Sequence, residues 1–203
     1  LFATKWLVPR LHGFYARCPE AEVRLQASVR AIDSNRSGPI GPTSFRSAGI
    51  DLAVRFGYGE YPELHSRQLM PVSLVPVCSS AATRVSASVP PEALLEQRLL
   101  SDSTTYRSSE RFGWPEWFEH AGIKSVPSTL REQRFGNGLL ALEAAVTGQG
   151  LLLACPRLVR AELDSGKLII AADVEMPCPF AYFVVCQPGA LERPMVQGFS
   201  DWL

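Results

Sequence analysis

The stretch NGLLALEAAVTGQGLLLACP, residues 137–156, decides the fold class. Asn137 stands where a helix N-cap belongs, because its short amide can accept hydrogen bonds from the first unpaired backbone N–H groups of a helix. Gly148 stands where such a helix ends on a left-handed residue. Leu151 to Ala154 is too short for a second helix and reads as a buried strand, and Pro156 opens the next helix. A helix, a glycine turn, a buried strand and another helix in succession mark an α/β chain.

Working outward, the same alternation continues in both directions. Trp114 to Ala121 reads as a helix ending on Gly122, preceded by a short strand at Arg98-Leu99-Leu100, a helix start at Pro90-Pro91 and the polar loop SDSTTYRSSE. Met70 to Cys78 is an extended apolar run with two prolines, which suit a sheet edge or a strand passing between sheets; it reads as a crossover. Gly49 to Arg55 reads as a buried strand running into FGYGEYP, with the two Gly-Pro turns of SGPIGPTS before it marking a loop. Glu22 to Ala27 alternates polar and apolar residues like a strand, Val29 to Asn35 suits a short helix, and the first helix is expected to begin near Trp6 because Pro9 fits only an early turn. On the C-terminal side, Tyr182 to Cys186 is a buried strand. Behind Pro194, Met195, Val196, Phe199, Trp202 and Leu203 form the apolar stripe of a last helix.

Composition narrows the function. With 203 residues, 46% of them apolar and 20% charged, the chain can bury a sizeable core in one or two domains. Its 20 basic residues balance 20 acidic ones, so no net positive field attracts a phosphate backbone. The five cysteines, Cys18, Cys78, Cys155, Cys178 and Cys186, form no CxxC pair and stand near no histidine at ligand spacing, which favours reduced, apolar-like side chains, no metal and no cofactor. No apolar run reaches the ~20 residues that span a bilayer and no signal peptide opens the chain, so a cytoplasmic location is expected.

Reactive motifs are equally sparse. GYGEYP has proline where a dinucleotide fingerprint needs its third glycine, and the GQG of residues 148–150 follows a helix instead of preceding one, which suits a tight turn. His12, His65 and His120 have no GxSxG or HExxH partners and read as surface histidines. Carboxylates beside arginine, as in Arg160-Ala161-Glu162 and Leu130-Arg131-Glu132, read as solvated helical faces, not as a general acid/base pair. Hydroxyls and amides do gather where strands are expected to end, at Ser28, at Ser103-Thr104-Thr105 and near Phe135-Gly136-Asn137. Ligands of open α/β sheets bind at the carboxyl ends of strands, so these positions suit a binding crevice; the same residue types also cap helices, and the two roles are compatible.

FATKWLVPRLHGFYARCP, GIDLAVRFGYGEYP, LVPVCSS, WPEWFEHAG, LLALEAAVTGQGLLLACPRLVRAELDSGKL and FSDWL, in that order, resemble the effector domain of LysR-type transcription regulators, in the branch of glycine-cleavage activators and beta-lactamase regulators. The resemblance implies an α/β fold similar to type II periplasmic binding proteins: two Rossmann-like lobes joined by two crossover strands, with a small effector in the cleft. The run Met70 to Cys78 matches the first crossover and the segment before Tyr182 the second, so that residues 1–75 with 179–203 would form lobe one and residues 76–178 lobe two. It implies effector contacts at Leu1, Phe2, Ala3, Ser28, Arg55, Phe56, Gly57, Thr104, Phe135, Asn137 and Tyr182. By the same resemblance, Asp33 matches an aspartate linked to the resting state. Partners implied are a small-molecule effector, a second subunit in a homodimer, and DNA through a winged helix-turn-helix that this chain does not include. Three features depart from the pattern: Leu1 stands where relatives carry a serine or threonine and follow a first strand, the loop after Asp33 is longer than usual, and the DNA-reading part is missing. Two rival readings keep the scaffold, a stand-alone solute-binding protein and, from a different class, an enzyme.

Overall fold

A computed structural model describes residues 1–27, 42–81, 88–103 and 112–203. In chain order its helices are α1 (Leu11–Arg17), α2 (Pro42–Ala48), α3 (Trp114–His120), α4 (Gly138–Val146), α5 (Arg160–Asp164) and α6 (Pro194–Trp202). The strands are β1 (Leu52–Gly57), β2 (His65–Ser79), β3 (Leu99–Asp102), β4 (Glu132–Phe135), β5 (Leu151–Ala154), β6 (Leu168–Ile170) and β7 (Met176–Cys186). The described chain divides into two compact units. The first holds Leu1–Trp6 and Ser73–Cys178, and the second holds Pro179–Leu203 with the described parts of Leu7–Ser28 and Ile32–Val72. Both β2 and β7 run from one unit into the other, as two crossover strands should.

The first unit is built around three parallel strands. β3 pairs with β4 from Leu99↔Glu132 to Asp102↔Phe135 and with β5 at Leu99↔Leu151 and Leu100↔Leu152. Successive side chains of a strand point to opposite faces, and both faces are covered here. Leu100, Leu152 and Val77 face Ala141, Leu142, Ala144 and Ala145 of α4, while Leu99, Leu151 and Cys78 face Trp114, Trp117 and Phe118 of α3. All three aromatic residues of α3 are fully buried, and the two indoles are satisfied by backbone: Trp114 Nε1 donates to Leu100 O at 3.0 Å and Trp117 Nε1 to Val174 O at 3.1 Å. β2 closes the layer antiparallel to β5 and β6, and Pro76, which has no N–H to give, offers its carbonyl to Ala171 N at 2.8 Å.

The second unit is centred on an antiparallel pair, with β1 against β7 from Leu52↔Cys186 to Gly57↔Ala181. One face of the pair carries Val185 and Ala53 onto Phe45, Tyr61 and Leu64, and the other carries Cys186 and Leu52 onto Ala190 and Val196. α1 and α6 meet through an aromatic cluster in which Phe14, fully buried, stands edge-on to Phe199 at 4.8 Å and tilted to Trp202 at 5.5 Å. Arg67 reaches the end of α6 and donates to Ser200 O at 2.6 Å, where a cation complements the helix C-terminus.

Several expectations change. The first helix is broken into a π-helical turn (Ala3–Leu7), a tight 3-10 turn (Val8–Arg10) and α1, because Pro9 lacks the N–H that a continuous helix needs there. Residues 22–27 form no strand: their alternation finds no partner strand among the described residues, and Leu25 is exposed. Pro42 opens α2, so the C-terminal part of SGPIGPTS is helical rather than loop. Glu132 lies in β4 instead of on a helix. Pro156 begins a turn, with α5 starting only at Arg160. The helix expected over 29–35 and most of the polar loop after Ser103 lie outside the described residues.

The glycine turn at 148–150 works as the sequence suggests. Gly148 has a φ of +79°, and a Cβ at Gly150 would overlap the carbonyl oxygen of Arg98, next to β3. Gly136 has open space around it and no positive φ. Gly150→Ala should therefore cost about 1–3 kcal/mol in urea denaturation through overpacking, whereas Gly136→Ala should stay within about 0.5 kcal/mol of the parent.

Candidate functional site

In the first unit, β3 and β4 run parallel and end side by side at Asp102 and Phe135. The chain then turns through Gly136 into α4, whose start is held by Asn137. Its backbone is extended, and its Oδ1 accepts from Leu139 N at 3.0 Å and Leu140 N at 3.1 Å. That cap satisfies two of the backbone donors that the first turn of a helix leaves without intrahelical partners. Asp102 and Leu1 lie against the same turn: a Cβ at Gly138 would sit 2.8 Å from Asp102 Oδ2 and 3.6 Å from Leu1 Cβ. A carboxylate here is favoured by the partial positive charge of the helix N-terminus. Leu1 and Phe135 both pack onto the core beneath α4.

Phe2 and Ala3 follow Leu1 into the π-helical turn, where Lys5 N donates to Leu1 O at 2.9 Å. The Phe2 ring is buried and stacks on Trp6 at 5.1 Å with an interplanar angle of 19°. Of the sequence-derived positions, then, Leu1, Phe135 and Asn137 converge on the head of α4, Ala3 opens the π-helical turn that follows Leu1, and Phe2 is turned into packing with Trp6.

A second group lies in the other unit. Phe56 and Tyr182 are direct cross-strand partners with ring centroids 4.8 Å apart. Phe180 extends the group, 5.7 Å from Phe56 and 4.7 Å from Tyr58, so four aromatic rings line one face of the β1/β7 pair. Gly57 pairs with Ala181. Arg55 pairs with Phe183, and strand alternation sends it to the opposite face from Phe56 and Tyr182. Ser28, Thr104 and Asp33 lie outside the described residues. An open concavity of about 620 Å³ in this unit, between residues 62–65 and 187–192, contains none of the sequence-derived positions.

Sequence reasoning missed Asp102, Tyr58 and Phe180. Asp102 was open to detection as the residue between the expected strand end and the polar run beginning at Ser103. Tyr58 and Phe180 depend on strand register, which no local pattern encodes.

Among the described residues, several polar side chains elsewhere are engaged with carboxylates or backbone carbonyls. Ser101 Oγ donates to the Glu132 carboxylate, and Ser73 Oγ to that of Glu175, while His120 Nε2 contacts the backbone carbonyl of Glu175 at 3.2 Å. In neither case does an imidazole touch the hydroxyl, which is the contact an activated serine requires. Burial pushes the Cys78 thiol up, and the Cys186 thiol too, with Arg193 pulling the latter partly back; both are held in the neutral form that reacts slowly. Among the described residues no three histidine, cysteine or carboxylate side chains cluster to hold a metal, and no helix is long and apolar enough to cross a membrane.

A family model described as the LysR substrate binding domain matches residues 1–203. The chain is 28% identical over 203 residues to the glycine cleavage system transcriptional activator of Escherichia coli K12, covering all of this chain and 61% of that protein. It is 31% identical over 203 residues to the HTH-type transcriptional activator AmpR of Pseudomonas aeruginosa, covering 62% of that protein. The chain thus spans about three-fifths of the length of these relatives. Among solved structures, the effector domain of Pseudomonas aeruginosa AmpR superposes with a TM-score of 0.76 at 28% identity, covering 99% of this chain and 88% of that one. The AmpR effector binding domain of Citrobacter freundii shares the fold with a TM-score of 0.78 at 23% identity, covering 100% of this chain and 91% of that one.

The cap at the head of α4 can be tested by itself. Asn137→Ala should destabilise the first unit by about 1 kcal/mol, because two backbone N–H groups lose their acceptor, and Asn137→Ser should recover most of it; urea melts compare the three proteins.

Proposed function

The chain belongs to the LysR substrate-binding domain family, and from that premise we propose that it is the effector-sensing domain of a bacterial transcription regulator. The observation that carries the proposal is the convergence of Asp102, Phe135, Asn137 and Leu1 where the parallel strands β3 and β4 end and α4 begins. In open α/β sheets this is where small molecules bind, because strand ends and helix starts leave backbone polar groups facing outward beside an apolar floor. Here the floor is Phe135 and Leu1, and the polar groups are a carboxylate and an amide. In the other unit, taken by itself, Phe56 and Tyr182 present an aromatic surface suited to ring faces or aliphatic groups.

The effector acts by differential affinity: it stabilises the conformation of the domain that it fits best, and the population moves toward that conformation. In the full-length regulator, working in the cytoplasm as a pair of subunits, that movement passes to a separate helix-turn-helix module and changes how it sits on DNA. Coupling of this kind is reciprocal, so DNA would alter effector affinity by the same factor.

A thermal-shift screen with amino acids, aromatic acids and cell-wall peptides tests the reading. A compound at about 100 times its Kd adds about 2.7 kcal/mol of stability and should raise the Tm by roughly 5–10 °C in a domain of this size. Asp102→Asn and Phe135→Ala should each reduce the shift produced by the compound that binds. A compound whose shift is as large in both variants as in the parent would overturn the assignment of these residues.

A further inference from the structure

The segment RAELD reads as a solvated helix turn, yet Glu162 is buried, with 8% of its surface exposed. α5 turns one side to solvent, where Arg160 and Asp164 form an exposed pair at 2.7 Å, and packs Leu163 onto the core that α4 covers. Glu162 points inward and forms an ion pair with Lys5, 157 residues earlier in the chain. Its second oxygen, Oε2, is buried and has no hydrogen-bond partner among the described residues. A buried carboxylate is costly unless an opposite charge and hydrogen bonds compensate it. Here one lysine supplies the compensation, so the place of Lys5 is dictated by Glu162.

The consequence reaches the effector residues through a short chain of contacts. Lys5 N is bonded to Leu1 O at 2.9 Å, so fixing Lys5 fixes the start of the π-helical turn. Leu1 in turn rests against the first residue of α4, beside Asp102. π-helical turns are rare and, where they occur, are frequently found at functional sites. The chain passes into the other unit directly after Trp6.

We propose that Glu162, acting through Lys5, is a positioning residue for the effector seat: it holds the Leu1–Ala3 segment against the head of α4, and the seat loses its shape when the pair is broken. The proposal rests on the reading of that seat given above. Hydrogen–deuterium exchange on the whole domain tests it without any ligand. Glu162→Gln and Lys5→Met should each speed exchange of the amides of residues 3–7 by about tenfold while those of β3 and β5 stay as protected as in the parent. The double variant Lys5→Met with Glu162→Met, which replaces the ion pair with apolar side chains and keeps the fold if a charged variant does not, should match either single variant at residues 3–7, because one interaction is lost in all three.

Unchanged exchange at residues 3–7, or a rise spread equally over β3 and β5, overturns the proposal. The functional arm measures binding of glycine, benzoate and N-acetylmuramyl dipeptide. Whichever stabilises the parent should lose about tenfold in affinity in Glu162→Gln, the loss expected when one supporting interaction is removed. Equal affinity in parent and variant overturns the positioning role. If none of the three stabilises the parent, that counts against the effector reading for these probes, while the exchange result still decides whether Glu162 holds the segment.

Discussion

Apolar burial of β3 on both faces is the constraint on which the first unit depends. Leu99 and Leu100 are completely buried on opposite sides of the strand, one beneath the tryptophans of α3 and the other beneath the alanines and Leu142 of α4. Each side chain of this kind contributes about 1.5–3 kcal/mol when it leaves water, and neither can be rotated outward without emptying one of the two cores. With β3 held, β4 and β5 are set by parallel pairing, and the close approach of Gly150 to the Arg98 carbonyl fits the observed register of β5. The parallel direction is what brings Asp102 and Phe135 to the same end of the layer. The candidate site is a by-product of that packing, placed where strands end.

Polar groups inside such layers have to be accounted for one by one. Ser101, buried on β3, is satisfied by Glu132 of the neighbouring strand, and Glu132 is shared with Arg134 two residues on, at 2.9 Å. Asn137 commits its Oδ1 to the backbone of α4. Glu162 differs, because half of its hydrogen-bonding capacity is left without a partner among the described residues. Groups of that kind need an explanation beyond stability. Family membership supplies a context: a sensing domain needs its binding residues held firmly enough to recognise a ligand, by contacts weak enough for ligand binding to matter.

Much of the fold was legible in the sequence, and the particular residues show why. The cap at Asn137, the left-handed glycines at 122 and 148, the buried strand at 151–154 and the last helix behind Pro194 are all local events, set by backbone geometry and side-chain period within a few residues. The crossover at Met70 to Cys78 was legible because prolines restrict where an apolar strand can lie. Residues 22–27 show what local pattern leaves open: alternation describes a strand that would be stable in a sheet, but pairing requires a neighbour, and the neighbour is decided elsewhere.

The candidate site divides in the same way. Asn137 and Phe135 could be named from the sequence because a cap and a strand end are local features, and Leu1, Phe56 and Tyr182 followed from the resemblance of whole segments to LysR effector domains. Only the tertiary structure decided that Asp102 and Leu1 share the first turn of α4, that Arg55 turns away from Phe56 and Tyr182, and that Glu162 is buried against Lys5. The physical reason is the same in each case. Sequence period sets which face of an element is apolar, whereas a contact between residues 5 and 162 depends on how several such faces pack at once, and no local pattern carries that information.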